Sequence, residues 1–155
     1  MELLELPFRL ASAAIARRQV VHLLRTRGVR PEVCEDAALV VSELAGNALR
    51  HGAPDGDGRL RLGWDLVDRS LLVEVTDGGG GRPVRRVGTP HGATTGRGLG
   101  IVAAVSTDWG SRCEPGRTSV WARLDTHPAT ADVTASGMPA RVGDGLDPDE
   151  YEQTG

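Results

Sequence analysis

The stretch VSELAGNALRHG, residues 41 to 52, has the pattern of the second half of a long helix that buries one side. Pro31 suits the first turn of such a helix and Gly52 suits its end, so we predict a helix from residue 31 to residue 51. Apolar residues recur along it at helical spacing and predict the side that faces the core. That stripe consists of Cys34, Ala37, Val40, Val41, Leu44 and Ala48.

Two polar residues lie within this predicted helix. Glu43 and Asn47 are four residues apart and therefore share one face, which His51 approximately continues. Asparagine is mildly unfavourable inside a helix because its side chain competes for backbone hydrogen bonds. A carboxylate and an amide oxygen placed in this way can act on one group or ion, with the asparagine as a neutral oxygen ligand for Mg²⁺. Taken alone, the pair is better explained as the polar outer face of an amphipathic helix.

The composition predicts one cytoplasmic globular domain, residues 1–124, followed by an acidic tail, residues 125–155, that we expect to be disordered. No apolar run is long enough for a membrane span, and the N-terminus lacks the layout of a signal peptide. All 18 basic residues are arginine, which excludes a Walker-type phosphate lysine, a Schiff base and a lysine general base. The 2 cysteines and 4 scattered histidines predict neither a disulfide framework nor a metal-ligand cluster.

The charge is divided unevenly between these two parts. The net charge of −3 is the sum of a body at +3 and a tail at −6. A body that is so weakly basic gives no strong argument for nucleic-acid binding.

The remaining apolar patterns predict two more helices and a set of strands. Alternation in residues 71–77 places Leu71, Val73 and Val75 on one side, as in a half-buried strand. The predicted elements are a strand over 2–10 with Pro7 indicating a sheet edge, a helix over 11–27 ended by Gly28, strands over 59–66 and 71–77, a helix over 99–106, and a closing pair of strands in TDWGSRC and RTSVWARL.

A glycine-rich stretch follows the strand that ends at Asp77. Asp77 begins the pattern D-x-G-x-G with Gly79 and Gly81. An acceptor at a strand end, followed by glycines that let a flat ligand approach the backbone, suits recognition of an amino group on a base. An ordinary Asp-Gly turn is the alternative, although four consecutive glycines exceed what a hairpin needs.

A second glycine pattern, Gly96-Arg97-Gly98-Leu99-Gly100, opens the last predicted helix. Exposed amides at a helix start, with glycines that permit close approach, form a natural phosphate cradle. The pattern is not a dinucleotide fingerprint, because its spacing is G-x-G-x-G and no strand leads directly into it. A plain glycine-rich connection explains it about equally well. Thr118, in a late predicted strand, is by itself simply a good strand former.

In order and spacing, however, these pieces resemble the GHKL ATPase superfamily, and most closely its small bacterial anti-sigma factors that are serine kinases. The resemblance covers roughly residues 10 to 124. It implies an α+β fold, a two-layer α/β sandwich of the Bergerat (histidine kinase-like ATPase) type. Such a fold has a mixed, mostly antiparallel sheet with helices on one face, with ATP between the layers under a flexible lid. The motifs that carry it are Glu43-Leu-Ala-Gly-Asn47-Ala-Leu-Arg-His51-Gly, Asp77-x-Gly79-x-Gly81, Gly96 to Gly100 and Gly116-Arg-Thr118-x-x-Trp121.

The resemblance also implies roles for individual residues. Asn47 would be the Mg²⁺ ligand and Glu43 the catalytic residue that polarises the attacking nucleophile. Asp77 would accept the amino group of adenine, with Thr118 as its support. Arg17, after Ala16 on the first helix, would contact partner proteins. Further nucleotide contacts would come from Arg50, His51, Gly79, Gly81, Gly96, Arg97, Gly98, Leu99 and Gly100. Residues 82–97 would form the lid, and its arginines Arg82, Arg85, Arg86 and Arg97 are candidates to replace the missing lysine at the phosphates.

Two features depart from the family's pattern. Ala45-Gly46 stands where a β-branched pair is more common, and Gly46 should weaken the helix by about 1 kcal/mol relative to alanine. This departure bears on metal affinity. The glycine run after Asp77 replaces the serine and proline of many relatives, which bears on the shape of the pocket.

The function implied by the resemblance is an ATP- and Mg²⁺-dependent serine/threonine kinase that regulates transcription. It would sequester a sigma factor and phosphorylate an anti-anti-sigma antagonist. The alternative is a catalytically silent ATP-binding module that regulates its partner by nucleotide-dependent binding. The catalytic half of a two-component histidine kinase is a weaker alternative, since neither His22 nor His51 has a phospho-acceptor context. We expect no direct nucleic-acid or membrane partner, and a homodimer is compatible with the resemblance.

Overall fold

The computed structural model describes residues 1–80 and 97–126, with the side chain of Arg97 outside the described part. Three helices and five strands occupy these residues. In chain order they are β1 (Glu2–Pro7), α1 (Ala11–Thr26), α2 (Pro31–His51), β2 (Arg59–Val67), β3 (Ser70–Asp77), α3 (Arg97–Val105), β4 (Asp108–Glu114) and β5 (Arg117–Asp125). No helix in this part of the chain has the length and apolar character that crossing a membrane would require.

The helix ends follow the local signals in the sequence. α2 begins at Pro31, directly after Arg30 in an extended conformation, and ends where the N–H of Gly52 donates to the carbonyl oxygen of Ala48 at 2.8 Å. α1 is followed by Gly28 at φ +72°, a left-handed conformation that residues with a Cβ rarely adopt. The predicted bounds of α2 are therefore confirmed, and those of α1 are confirmed to within one residue.

All five strands form one sheet in the order β1-β2-β3-β5-β4. Every one of its four pairings is antiparallel, where a mixed, mostly antiparallel sheet was predicted. Pro7 lies in β1 at the edge of the sheet, as expected for a residue that lacks an N–H donor. The helices lie on one face, so the predicted two-layer α+β sandwich is confirmed.

The register of the sheet places its apolar residues on the face that the helices cover. Leu62 lies opposite Val75, and Trp64 opposite Val73. Facing them are the buried stripes of α1 and α2, and Leu99 and Val102 of α3 join the same core. The largest fully buried side chains of this core are Leu24, Leu44, Leu60, Leu62, Leu71 and Leu124.

The first strand is shorter than predicted. It ends at Pro7 instead of residue 10, because the chain turns there into α1. The buried hydroxyl of Ser12 donates to the carbonyl oxygen of Pro7 at 2.6 Å, and the N–H of Phe8 donates to the carbonyl oxygen of Gly58 at 3.2 Å. α3 begins two residues before the prediction, at Arg97. Residues 127–155, most of the predicted acidic tail, lie outside the described residues.

A cluster of charged residues holds the connection between α2 and β2. The Oδ1 atom of Asp55 accepts the N–H groups of Asp57 and Arg59 at 3.0 and 2.8 Å. Its Oδ2 atom lies 3.1 Å from Nε of Arg61, which is 3.3 Å from Oε1 of Glu5. Both Asp55 Oδ2 and Arg61 Nε are buried and lack hydrogen-bond geometry, so their attraction is electrostatic. The N–H of Arg59 above all, helped by that of Asp57 and by the charge of Arg61, holds the pKa of Asp55 below its ordinary value.

Replacing Leu44 by alanine should lower the free energy of unfolding by about 2–5 kcal/mol, because the fully buried side chain would leave a cavity. Chemical denaturation measures this change. Leu39→Ala on the same helix is the matched control, since Leu39 is 39% exposed and its removal should change the stability by less than about 0.5 kcal/mol. Equal losses for the two variants would contradict the assignment of the buried side of α2.

The stabilising effect of Asp55 should depend on pH. Because folding lowers the pKa of Asp55, its ionised form stabilises the fold above the ordinary carboxyl pKa of about 3.9. This stabilisation is lost as the pH falls through the lowered pKa. We therefore expect Asp55→Asn to destabilise the protein at pH 7 and to lose its effect below about pH 4 in urea denaturation. Asp57→Asn, at a side chain that is 75% exposed, is the control, and a pH-independent effect of Asp55→Asn would contradict the prediction.

Candidate functional site

Asp77 provides a buried carboxylate at the end of β3. Its side chain is on the helix-covered face and the residue is only 5% exposed. The N–H of Gly79 donates to its Oδ1 atom at 2.7 Å, and the N–H of Ala53 also donates to the carboxylate. Burial raises the pKa of Asp77, and these two N–H groups partly oppose the rise. A carboxylate held in this way is a fixed acceptor for an amino group.

The loop after α2 closes tightly over the end of β3. The N–H of Gly78 donates to the carbonyl oxygen of Ala53 at 2.8 Å. A Cβ atom on Gly78 would overlap the carbonyl oxygen of Pro54, and one on Gly52 would overlap Oδ2 of Asp77. Both positions therefore require glycine, because the backbone of the loop lies directly against the aspartate turn.

The turn after Asp77 also depends on glycine. Gly79 has φ +80°, and a Cβ atom there would come within 2.9 Å of the backbone nitrogen of Arg117. Thr118 lies directly opposite Asp77 in the sheet and is 6% exposed. Its hydroxyl donates to the sulfur of Cys113 on β4 at 3.9 Å. Asp77, Thr118 and Cys113 thus form one row across β3, β5 and β4.

The second group of polar residues lies where α3 begins against α2. Glu43 and Asn47 are both half-buried on α2. A Cβ atom on Gly98 would overlap Oε2 of Glu43 and would lie 3.0 Å from its Cδ, so the carboxylate touches the first turn of α3. The first N–H groups of a helix lack partners within the helix and carry a partial positive charge, which stabilises a nearby carboxylate.

Other predicted site residues take varied positions. Leu99 is 7% exposed and packs in the core, so only its backbone can face a ligand. Gly100 is exposed, and nothing lies within 4 Å of a Cβ atom placed there.

The guanidinium of Arg50 folds back over Gly46, where a Cβ atom would be 2.9 Å from Nη1. His51 and Arg17 are exposed, His51 at the end of α2 and Arg17 on α1. A Cβ atom at position 46 would meet only the end of the flexible side chain of Arg50, so this contact does not by itself require glycine there.

Several predicted residues lie outside the described part of the chain. They are Gly81, Gly96 and residues 82–96 of the predicted lid, together with the side chain of Arg97. The predicted site residues that the structure does describe form two clusters. One joins Asp77 with Gly79 and Thr118, and the other joins Glu43 with Gly98, one turn from Asn47 on α2.

Some contacts at the site were not predicted from the sequence. The N–H of Ala53 and the steric requirement for Gly52 and Gly78 come from the backbone path of the loop. The turn signal APDGDG locates this loop, but no residue type in it indicates contact with Asp77. The contact of Cys113 with Thr118 was likewise not predicted, since the 2 cysteines of the sequence indicate neither a disulfide framework nor a metal-ligand cluster.

The described residues of the site offer few side chains that could bind a metal ion. Among residues 1–80 and 97–126, no group of three or more His, Cys, Asp or Glu side chains could hold a metal ion. Mg²⁺ at a nucleotide usually takes only one or two protein oxygens, with phosphate and water oxygens completing its shell. The amide oxygen of half-buried Asn47, one turn from Glu43 on α2, fits that requirement.

An open depression of about 520 Å³ lies elsewhere, at the start of β3 and the end of β5. It is lined by Val67, Ser70, Thr107 and Leu124 among others. Because Asp77 is at the opposite end of β3, this depression does not belong to the candidate site.

Comparison with known proteins identifies the fold and the family of the chain. A structural match links the chain to the crystal structure of the RsbU and RsbW domains of Rv1364c from Mycobacterium tuberculosis, with a TM-score of 0.61 and 18% identity. The match covers 81% of this chain and 32% of that one, and at this identity it shows a shared fold. No curated protein matches the chain. The model of the histidine kinase-like ATPase domain family matches residues 6–124. The chain therefore belongs to the histidine kinase-like ATPase domain family.

Proposed function

We propose that this domain is an ATP-binding serine/threonine kinase of the anti-sigma factor type, which sequesters a sigma factor and phosphorylates an anti-anti-sigma antagonist. The observation that carries the proposal is the distance, measured along the axis of α2, between two acidic side chains. One is Glu43 on α2, and the other is Asp77 at the end of β3. Asp77 touches Gly52, directly after the helix, and Glu43 lies nine residues before Gly52. At 1.5 Å per residue this separation is roughly 14 Å along the helix axis, which suits an extended nucleoside triphosphate.

The base would bind at Asp77. Its buried carboxylate is held by the N–H groups of Gly79 and Ala53 and can accept a hydrogen bond from the exocyclic amino group of adenine. The exposed Gly80, where an added Cβ atom would meet only the side chain of Ala53 at 3.9 Å, leaves room for a flat ring beside the backbone. Guanine and hypoxanthine carry a carbonyl oxygen at that position and would face the carboxylate unfavourably.

The phosphates would lie between α2 and the start of α3. The free N–H groups of the first turn of α3 favour anions. Asn47 would hold Mg²⁺, which neutralises charge on the phosphates during phosphoryl transfer. Glu43 lies at the same place and would accept the proton from a serine hydroxyl as that oxygen attacks the terminal phosphate.

The exposed arginines of α1 and of the segments that flank it support a protein partner. Between residues 6 and 31 the chain carries six arginines and no acidic residue. All six are exposed, namely Arg9, Arg17, Arg18, Arg25, Arg27 and Arg30. Such a surface suits an acidic protein partner through charge complementarity, with Arg17 as the contact that the family resemblance implies.

One observation favours a second candidate, a catalytically silent ATP-binding module that regulates its partner by contact. The carboxylate of Glu43 rests against the first turn of α3, where phosphate is expected to bind. If the carboxylate stayed there with nucleotide bound, it could not act as a base. ATP would then only set the shape of the partner-binding surface.

Transfer of labelled γ-phosphate from ATP to a serine-containing antagonist distinguishes the two candidates. For the kinase, Glu43→Gln should lower the transfer rate about 100- to 10,000-fold while ATP still binds, since it removes only the base. Asn47→Ala should weaken Mg²⁺-ATP binding itself. Wild-type transfer unchanged by Glu43→Gln would contradict the mechanism. Tight ATP binding with no transfer to a partner that binds the domain would establish the silent module instead.

Gly98→Ala should displace the carboxylate of Glu43 without unfolding the domain. The new Cβ atom meets only the end of a flexible side chain, so the structural cost is small. Because catalysis depends on the position of the base, we expect transfer to fall about 10- to 100-fold with an unchanged melting temperature. Ala103→Ser, on the exposed side of α3, is the control. Full transfer activity in Gly98→Ala would show that the position of Glu43 does not matter.

A further inference from the structure

The loop between α2 and β2 forms hydrogen bonds to the end of β3, where Asp77 lies, through Ala53. Ala53 makes two hydrogen bonds to the end of β3, in opposite directions. Its N–H donates to the carboxylate of Asp77, and its carbonyl oxygen accepts the N–H of Gly78 at 2.8 Å. The orientation of the Asp77 carboxylate therefore depends on where this loop is held.

Asp55 fixes the far side of the same loop. Its N–H donates to the carbonyl oxygen of Arg59 at 3.0 Å, and its own carbonyl oxygen accepts the N–H of Gly58 at 2.9 Å. Its carboxylate binds the N–H groups of Asp57 and Arg59. Only Pro54 separates Asp55 from Ala53, and the proline ring fixes one of the two backbone dihedral angles there. A displacement of Asp55 is thus passed on to Ala53.

Arg61 ties this anchor to the sheet. Its Nε lies 3.1 Å from Oδ2 of Asp55 and 3.3 Å from Oε1 of Glu5 on β1. In the sheet Arg61 is opposite Thr76, the residue that precedes Asp77. The buried contact between Arg61 and Asp55 therefore joins the loop to the strand pair that carries the aspartate.

We propose that Asp55, held by Arg61, is a positioning residue for adenine: it fixes the loop whose Ala53 N–H orients the Asp77 carboxylate towards the amino group of the base. The inference rests on the proposed adenine site. Asp55 touches no part of the nucleotide and acts only through Ala53 and Asp77. Its loss should therefore weaken the recognition of the amino group and leave phosphate binding intact.

Comparing ATP with inosine triphosphate isolates this effect, since the inosine base has a carbonyl oxygen in place of the amino group. Calorimetric titration of the Mg²⁺ complexes into the full chain should show that the wild type prefers ATP at least about tenfold, the value of one hydrogen bond to a charged group. In Asp55→Ala the preference should fall by at least about threefold, with the affinity for inosine triphosphate nearly unchanged. Asp57→Ala, at the exposed position in the same turn, should keep the wild-type preference.

Hydrogen exchange in the nucleotide-free protein tests the positioning independently of ligand binding. The N–H groups of Ala53 and Gly79 should exchange at least about tenfold faster in Asp55→Ala than in the wild type, while the N–H groups at the centre of α2 keep their protection. Asp55→Asn keeps an oxygen acceptor for the N–H of Arg59 and serves if the alanine variant does not fold. Asp55→Asn removes the charge attraction to Arg61 but keeps the acceptor oxygen. It should therefore change the same exchange rates and the same nucleotide preference by a smaller factor.

The outcomes separate the inference from the proposed function. A wild type that binds ATP no better than inosine triphosphate overturns the adenine site, and the role of Asp55 in specificity with it. A wild type with the expected preference, together with an unchanged ratio in the Asp55 variants, overturns the inference alone. Equal weakening of both nucleotides also overturns it, since a general loss of structure would do that. Unchanged exchange at Ala53 excludes the proposed route through the loop.

Discussion

Burial of one side of α2 against the centre of the sheet is the constraint on which the rest of the molecule depends. α1 and α3 both pack on α2, which itself lies over β3 and β5. Once Val40, Val41 and Leu44 face the sheet, the rotation of the helix about its axis is fixed. Glu43 then faces the start of α3, and Asn47 follows one turn later on the same side of α2. The apolar stripe that stabilises the fold therefore also sets the direction of both candidate catalytic groups.

The two ends of the site are built by different physical means. At Glu43 a side chain meets the first turn of α3, and the contact is possible because Gly98 has no side chain. At Asp77 a side chain meets backbone N–H groups from a loop and from its own turn. The first arrangement leaves the carboxylate free to move, whereas the second holds it in a buried position. This difference suits the proposed roles of Glu43 as a base that takes up a proton and of Asp77 as a fixed acceptor.

Much of the fold could be predicted from the sequence, because the apolar residues that form the core recur with a regular period. The helical spacing in residues 31–51 and the alternation of Leu71, Val73 and Val75 describe surfaces that must be buried, and burial is the largest favourable term in folding. The early end of β1 at Pro7 was missed because it depends on a hydroxyl, that of Ser12, which bonds the backbone across a turn. Such a contact produces no periodic pattern in the sequence.

The contacts of the site that were not predicted all arise where the backbone brings distant segments of the chain together. Ala53 contributes through an N–H group that every residue except proline has, so its identity carries no signal. Asp55 lies in the turn sequence APDGDG and Arg61 in the predicted strand over 59–66, and neither residue type indicates their contact. Their relation appears when the loop folds back over β3 and brings Gly78 against Pro54. Contacts between distant backbone segments follow from the fold, and the sequence shows only that a turn is present.

The row that joins Asp77, Thr118 and Cys113 has a practical consequence for chemical labelling. The chain has 2 cysteines, and Cys34 is buried within the core, where burial raises the pKa of its thiol and keeps it protonated. Cys113 is exposed on β4, two strands from Asp77. A thiol-reactive fluorophore would therefore attach selectively at Cys113, near the proposed adenine site. The domain thus carries a built-in attachment point for an optical reporter of nucleotide occupancy.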